Sequence, residues 1–337
     1  MAADAVLLAA PLLAFGVAWA VTWLCCRPGS WLHFLDHPNE RSLHVKPIPR
    51  TGGVGVMAGA LAGGLVAVLG AGAGRGLVAA LGGGLALAVV GLLDDRRSLS
   101  ARRRLVAQLL AAAVFLALLA PAGGWAFAAL CLLGLTWMAN LYNFMDGADG
   151  LAGGMALAGF ACLAWVALAA GQPALAAACA GIAAAAAGFL CFNFHPARIF
   201  MGDSGSVPLG FMAGALGLAG REAGAWPLWF PLLVFSPFVM DATVTLLRRA
   251  LRGEKIWQAH RTHYYQRLVQ MGLGHRGTAL AAYALMAAVG GTAVAGLPLG
   301  FSLQCAMITM WAFIYLVLGW AIDRAWRRFE AAKAPLP

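Results

Sequence analysis

Along most of this chain the apolar positions run on without the regular polar interruptions of a surface helix. Long blocks of Ala, Gly, Leu and Val recur. Each is close to the roughly 20 residues that a helix needs to cross a bilayer. About eleven such runs are predicted: 4–26, 51–71, 76–93, 105–120, 125–139, 151–170, 174–192, 205–219, 226–247, 278–297 and 301–322. Polar residues gather in the gaps. Alternation at period two is absent, which argues against an outer-membrane barrel. The pattern predicts an all-α, polytopic helical membrane protein, with 1–337 forming a single integral membrane domain. Runs of small residues such as "GIAAAAAGFL" let helices approach closely in lipid, so tight packing is expected. The first run has no basic segment before it and is interrupted by Pro11, so it reads as a retained span.

Composition agrees with the pattern. Only 11% of residues are charged, about half the fraction usual in soluble domains. The positive charges also orient the spans. With the N-terminus outside, 21 of the 23 Lys and Arg fall on the cytoplasmic side, and only Arg75 and Arg221 fall outside. That asymmetry is the positive-inside signal, and it puts the C-terminus in the cytoplasm. The formal charge of +10 therefore belongs largely to one face. Such a face suits anionic headgroups and an anionic substrate arriving from the cytosol. No soluble basic domain is present to hold nucleic acid. The seven cysteines lie mostly in spans and form no CxxC pair, so they read as small apolar residues.

The same topology collects the reactive residues into cytoplasmic loops 27–50, 94–104, 140–150, 193–204 and 248–277. In "GLLDDRRSLSARRR", Asp94 and Asp95 close the third run, where the negative end of a helix dipole disfavours carboxylates. Neutralisation by Arg96 and Arg97 explains them as well as a cation site does. In "NFMDGADG", Asp146 and Asp149 share a face if the turn is helical, and Asn143 adds an amide beside them. Capping of the next helix accounts for Asp149 but not for Asp146. In "NFHPARIFMGDSGS", Asp203 is either an N-cap or the acidic member of a phosphate cradle that shares a metal ion. In "AHRTHYYQRL", His260, Arg261 and His263 form either a basic interfacial helix or a clamp for a diphosphate. The histidine pair lacks Cys or Glu at offsets that a zinc site needs. Lys46 and Arg50 end the donor-rich first loop, and Asp241 stands alone inside the ninth run. Each cluster has an ordinary explanation by itself. Together, five aspartates from three loops on one side, facing many Arg and His, point to Mg²⁺ and phosphates.

"GLLDD", "NLYNFMDGADGL", "PARIFMGDSGS" and "HRTHYYQRL", in that order among apolar spans, resemble the polyprenyl-phosphate N-acetylhexosamine-1-phosphate transferases. "PNERSLHVKPIPRTGG" is similar to the first cytoplasmic loop of the branch that initiates O-antigen. The resemblance implies an enzyme of the bacterial inner membrane. Its substrates are undecaprenyl phosphate and a UDP-N-acetylhexosamine, its products a lipid-diphospho-sugar and UMP, and its cofactor Mg²⁺. It implies catalytic roles for Asp94, Asp95, Asp146 and Asp149, with the metal on Asp203 and Asp146. Substrate contacts are implied for Asn143 and His263, and Lys46, Arg50, His260 and Arg261 are candidates beside them. Tyr265 and Gln266 stand where that family's loop carries two further histidines, so histidine is expected to be tolerated at 265. A secondary transporter of an anionic solute and a lipid-phosphate hydrolase are the alternative readings. The oligomeric state, a homodimer included, is left open.

Overall fold

A computed structural model describes residues 2–38, 43, 46–255, 258 and 260–333. Arg41, His44 and Ala259, from the first and last cytoplasmic loops, lie outside the described residues. The described chain is almost wholly helical: α1 (Ala2–Cys26), α2 (Gly52–Ala71), α3 (Arg75–Arg97), α4 (Ala101–Leu119), α5 (Gly124–Phe144), α6 (Leu151–Ala169), α7 (Pro173–Asn193), α8 (Asp203–Glu222), α9 (Trp229–Val234), α10 (Ser236–Leu251), α11 (Tyr264–Leu268), α12 (Gly274–Gly296) and α13 (Phe301–Lys333). Eight helices among the described residues are long and apolar enough to cross a membrane. The eleven expected runs differ from these for physical reasons. α4 and α8 have near-bilayer length but carry Arg102 to Arg104 and Asp203, Arg221 and Glu222 at their ends. The run 226–247 is broken into α9 and α10. Pro231 and Pro237 lie inside that run, and a proline lacks the N–H and clashes with the preceding turn. The first loop also holds a small antiparallel pair, β1 (Leu35–Asp36) and β2 (Ile48–Pro49), that the apolar pattern does not foreshadow.

Small residues set the helix spacing. Gly55, Gly59 and Gly63 recur every four residues along α2 and face α1. A Cβ at Gly59 would lie 2.4 Å from the Ala14 carbonyl oxygen, and one at Gly63 would lie 3.1 Å from Gly181 Cα on α7. Any side chain there would push the three helices apart. The same device brings the polar ends together. A Cβ at Gly91 would stand 2.3 Å from the Asp203 carbonyl oxygen, so α3, about two turns from its end, lies against the first residue of α8. At Gly210 it would lie 2.3 Å from the Met138 carbonyl oxygen, which seats α8 on α5. Backbone bonds then clamp the first loop to the segment before α8: Phe200 N–H donates to Pro49 O at 2.7 Å, and Gly53 N–H to Met201 O at 2.7 Å.

Candidate active site

The polar residues converge at one end of the bundle, where α3, α5 and α7 finish and α4, α6 and α8 begin. Gly202 has φ +71°, a left-handed conformation that glycine adopts without strain. A Cβ at that position would lie 2.1 Å from Arg50 O and 2.8 Å from Asp95 Oδ2. Helix α8 therefore starts at Asp203, where a carboxylate favours the positive end of the dipole.

Asp94 and Asp95 divide in function at this point. Asp95 is buried, and both its oxygens serve α8: Oδ1 accepts Asp203 N–H at 3.1 Å and Oδ2 accepts Ser204 N–H at 3.0 Å. It caps a helix distant in sequence and so fixes Asp203. Asp94 instead shares a cation with Asp203. Arg104 Nη1 donates to Asp94 Oδ2 at 3.0 Å and to Asp203 Oδ2 at 3.1 Å. Asn143 Nδ2 donates to Asp203 Oδ1 at 2.7 Å and to Ser206 Oγ at 2.9 Å. Asp146 is half-buried in the same group. Burial, and then the nearby Asp203 and Asp95 charges, raise its pKa well above the ordinary carboxylate value. Of these four carboxylates Arg104 pairs with two, Asp94 and Asp203, and Arg50 lies behind them on the Asp95 carbonyl. Like charges crowded into one site attract a cation or a proton.

Asp149 does not join that group through its hydrogen bonds. Its Oδ2 lies 2.6 Å from His195 Nδ1 and accepts Ala197 N–H at 3.1 Å, while Oδ1 lies 3.3 Å from His275 Nδ1. The two imidazoles stack at 5.7 Å. Burial opposes ionisation of Asp149, but His275, His195 and the Ala197 N–H outweigh it and hold its pKa below the usual carboxylate range. The residue ties the start of α6 to the loop before α8 and to α12.

The remaining expected contacts separate similarly. His263 is buried, with its ring stacked near Phe144 at 6.2 Å and 4.9 Å from that of His260. Burial, followed by His263 and Arg249, lowers the His260 pKa to about 4, and its Nδ1 lies 2.9 Å from Thr262 Oγ1. Lys46 and Arg261 are exposed. Arg50 holds the Asp95 carbonyl and lies 3.8 Å from Asp36 Oδ1. Tyr265 departs from the expectation of a tolerant position: it is 4% exposed, and its hydroxyl donates to Phe144 O at 3.0 Å. A Cβ at Gly147 would sit 2.2 Å from that hydroxyl, so the tyrosine and the glycine fit one another.

In sequence Arg104 is one of many positive charges. A signal was available, since an arginine in the first turn of a helix opposes the dipole and calls for carboxylate partners. His195 and His275 gave no comparable signal. Their common partner lies 46 and 126 residues away in sequence.

Among the described residues, no group of three or more Asp, Glu, His or Cys forms a ready metal cage. Mg²⁺ does not need one. It keeps several waters, takes one or two carboxylates and accepts oxygen donors only. Asp203 and Asp146, crowded and under-compensated, fit that demand.

Residues 77–221 match the model of glycosyl transferase family 4. A Bacillus subtilis (strain 168) protein named probable undecaprenyl-phosphate N-acetylglucosaminyl 1-phosphate transferase is 30% identical over 264 residues, 74% of this chain and 73% of that one. This chain belongs to glycosyl transferase family 4. Within that family it is a glycosyl-1-phosphate transferase. It is also similar to the decaprenyl-phosphate N-acetylglucosaminephosphotransferase of Mycolicibacterium smegmatis, at 32% identity over 82% of this chain and 77% of the relative. The undecaprenyl-phosphate alpha-N-acetylglucosaminyl 1-phosphate transferase of Yersinia pestis is 29% identical over 87% of this chain and 85% of the relative. The matched region runs from α3 into α8, so it contains Arg104, Asn143 and the four clustered carboxylates of this transferase, with Asp149 beside them.

Proposed function

We propose that this transferase moves N-acetylhexosamine-1-phosphate from a UDP-sugar to undecaprenyl phosphate at the cytoplasmic face of the bacterial inner membrane. An oxygen of the lipid phosphate forms a bond to the β-phosphorus of the nucleotide sugar. The bond from that phosphorus to the oxygen bridging it to the α-phosphorus breaks, and UMP leaves with the electron pair. The product, a lipid-diphospho-sugar, begins an O-antigen or a related envelope polysaccharide. The observation that carries the reading is the convergence of Asp94, Arg104, Asn143, Asp146 and Asp203 at one end of a membrane bundle.

Phosphoryl transfer asks mainly for positioning and charge neutralisation. Asp203 and Asp146 are the residues that would hold Mg²⁺, which supplies Lewis-acid neutralisation of the diphosphate. Asn143 keeps Asp203 aimed, and Asp95 holds the helix that carries it. Arg104 is the cation placed to meet an incoming phosphate once Asp203 has another partner. The lipid phosphate, with a second pKa near ~6, is largely dianionic at neutral pH, so no strong base is needed. Asp94 then steers the acceptor rather than deprotonating it. His263, buried beside Phe144, supplies a contact to the diphosphate. Two apolar cavities flank α10 and offer room for isoprenyl units. One, of about 280 Å³, lies between α5, α8 and α9 around Leu135, Met138 and Phe235. The other, of about 360 Å³, runs from Met145 and Tyr265 to α13.

The test is incubation of membranes with undecaprenyl phosphate and a panel of radiolabelled UDP-N-acetyl sugars. Lipid-soluble label accompanied by equimolar UMP supports the reading and names the sugar. Solute uptake into vesicles without UMP favours the transporter, and release of free phosphate favours the hydrolase.

A further inference from the structure

The segment that carries His263 opens a helix at its N-terminal end. Helix α11 runs directly into a π-helical turn, Val269–Leu273, so the end that needs capping is the first turn. Its first-turn N–H groups need outside acceptors. Within the segment, His263 N–H donates to Gln266 Oε1 at 3.2 Å. The other two acceptors come from Asp241, in the middle of α10. Its Oδ1 accepts Tyr264 N–H at 2.9 Å, and its Oδ2 accepts Tyr265 N–H at 3.0 Å.

The same carboxylate reaches the histidine ring. His263 Nδ1 lies 3.2 Å from Asp241 Oδ1, and Thr245 Oγ1 donates to that oxygen at 3.2 Å. Both partners are enclosed, with side-chain exposures of 4% for His263 and 9% for Asp241. A carboxylate on an inserted helix is unfavourable unless it is paired, and Asp241 has four donors around it. Nδ1–H donates to the carboxylate, which turns Nε2 to the opposite side of the ring, where it meets an anion as the second N–H of an imidazolium. Nε2 is then the nitrogen free to donate to an anion. The Phe144 and Tyr265 rings, 6.2 and 5.9 Å away, limit how far the imidazole can turn.

We propose that Asp241 is a positioning residue for the transfer reaction, holding His263 by Nδ1 so that Nε2 faces the diphosphate of the donor. The inference rests on the substrate contact assigned to His263 above. Asp241 touches no substrate itself and acts through the imidazole and through the first turn of α11.

Asparagine caps helix N-termini as well as aspartate does, so Asp241→Asn keeps much of the cap and removes the charge. The experiment compares kcat/KM of the wild type, Asp241→Asn, His263→Asn and the double variant. Substrates are UDP-N-acetylglucosamine and undecaprenyl phosphate, and each protein is purified in detergent and checked by size exclusion. Each single variant is expected to lose about 10- to 100-fold, the range of a charge-assisted hydrogen bond. The double variant is expected to match His263→Asn within about threefold, because coupled residues are not additive. If the losses multiply instead, Asp241 acts independently of the histidine and the inference fails. Wild-type turnover in His263→Asn removes the substrate contact and the inference with it, whereas an impaired His263→Asn beside an unimpaired Asp241→Asn removes the inference alone. Should Asp241→Asn not yield monodisperse protein, Thr245→Val loosens the carboxylate more gently. Its smaller loss must vanish in the His263→Asn background, and persistence there overturns the proposal.

Discussion

Asp203→Asn separates the chemistry of the site from its architecture. The substitution preserves shape and removes one negative charge from a group of four carboxylates. Its Oδ1 can still accept from Asn143 Nδ2, now at 2.7 Å. Its new amide would oppose Arg104 Nη1, now 3.1 Å from Oδ2. That lost ion pair is partly solvated, since the Arg104 side chain is 39% exposed, so it is worth at most about 1 kcal/mol. Arg104 also retains Asp94 at 3.0 Å. Against this loss stands relief of repulsion with Asp146 and Asp95. The net change in metal-free stability is therefore expected within about 1 kcal/mol, a shift of only a few degrees in Tm. Activity is expected to respond differently. An anionic ligand to a Lewis-acidic cation contributes several kcal/mol to the transition state. About 3–5 kcal/mol corresponds to roughly 10²- to 10⁴-fold in kcat/KM. The assay is UMP release across a Mg²⁺ titration, beside thermal unfolding in detergent without metal. Wild-type turnover at equal expression would refute the metal argument. A collapse of Tm together with activity would show that Asp203 is an architectural residue.

Other outcomes follow from the same geometry. Chelation with EDTA is expected to abolish transfer and added Mg²⁺ to restore it, read as lipid-soluble label; chelator-resistant transfer contradicts a metal site. Tyr265→Phe removes the hydroxyl bond to Phe144 O and is expected to lower stability by about 1 kcal/mol. Tyr265→His leaves a cavity as well and is expected to lose more, by thermal unfolding, than Phe does. Asp149 has its pKa held below the ordinary aspartate value, so its stabilisation is present above that ordinary value and is lost as pH falls through the folded value. Asp149→Asn should therefore lower Tm clearly at pH 7, with the gap to wild type narrowing as pH falls below the ordinary aspartate range; a gap that stays constant means that charge is not the cause.

What was readable in the sequence depended on local signals. Continuous apolar runs located nearly every helix, because in lipid a spanning segment must satisfy its own backbone hydrogen bonds. The break at Phe235 is marked in sequence only by Pro231 and Pro237, because the apolar run continues through them. The motif residues were found as separate clusters, and their polarity at helix ends marked them. Their division of labour was not written locally. Asp94 and Asp95 are adjacent in sequence and look equivalent, yet one shares Arg104 and the other caps α8. Asp146 and Asp149 share a motif, yet the first crowds Asp203 and the second anchors two histidines.

The sequence by itself determined that this is a helical membrane protein, which end of the bundle bears the charge, and which acidic motifs are available. Those properties follow from transfer energies and charge asymmetry, which act on each segment separately. Only the tertiary structure decided which carboxylate meets which donor. That choice is set by Gly91, Gly202 and Gly210, whose missing side chains let α3, α5 and α8 close to contact distance. Hydrogen bonds are made or lost over tenths of an ångström, a scale at which linear spacing carries no information about partners a hundred residues away.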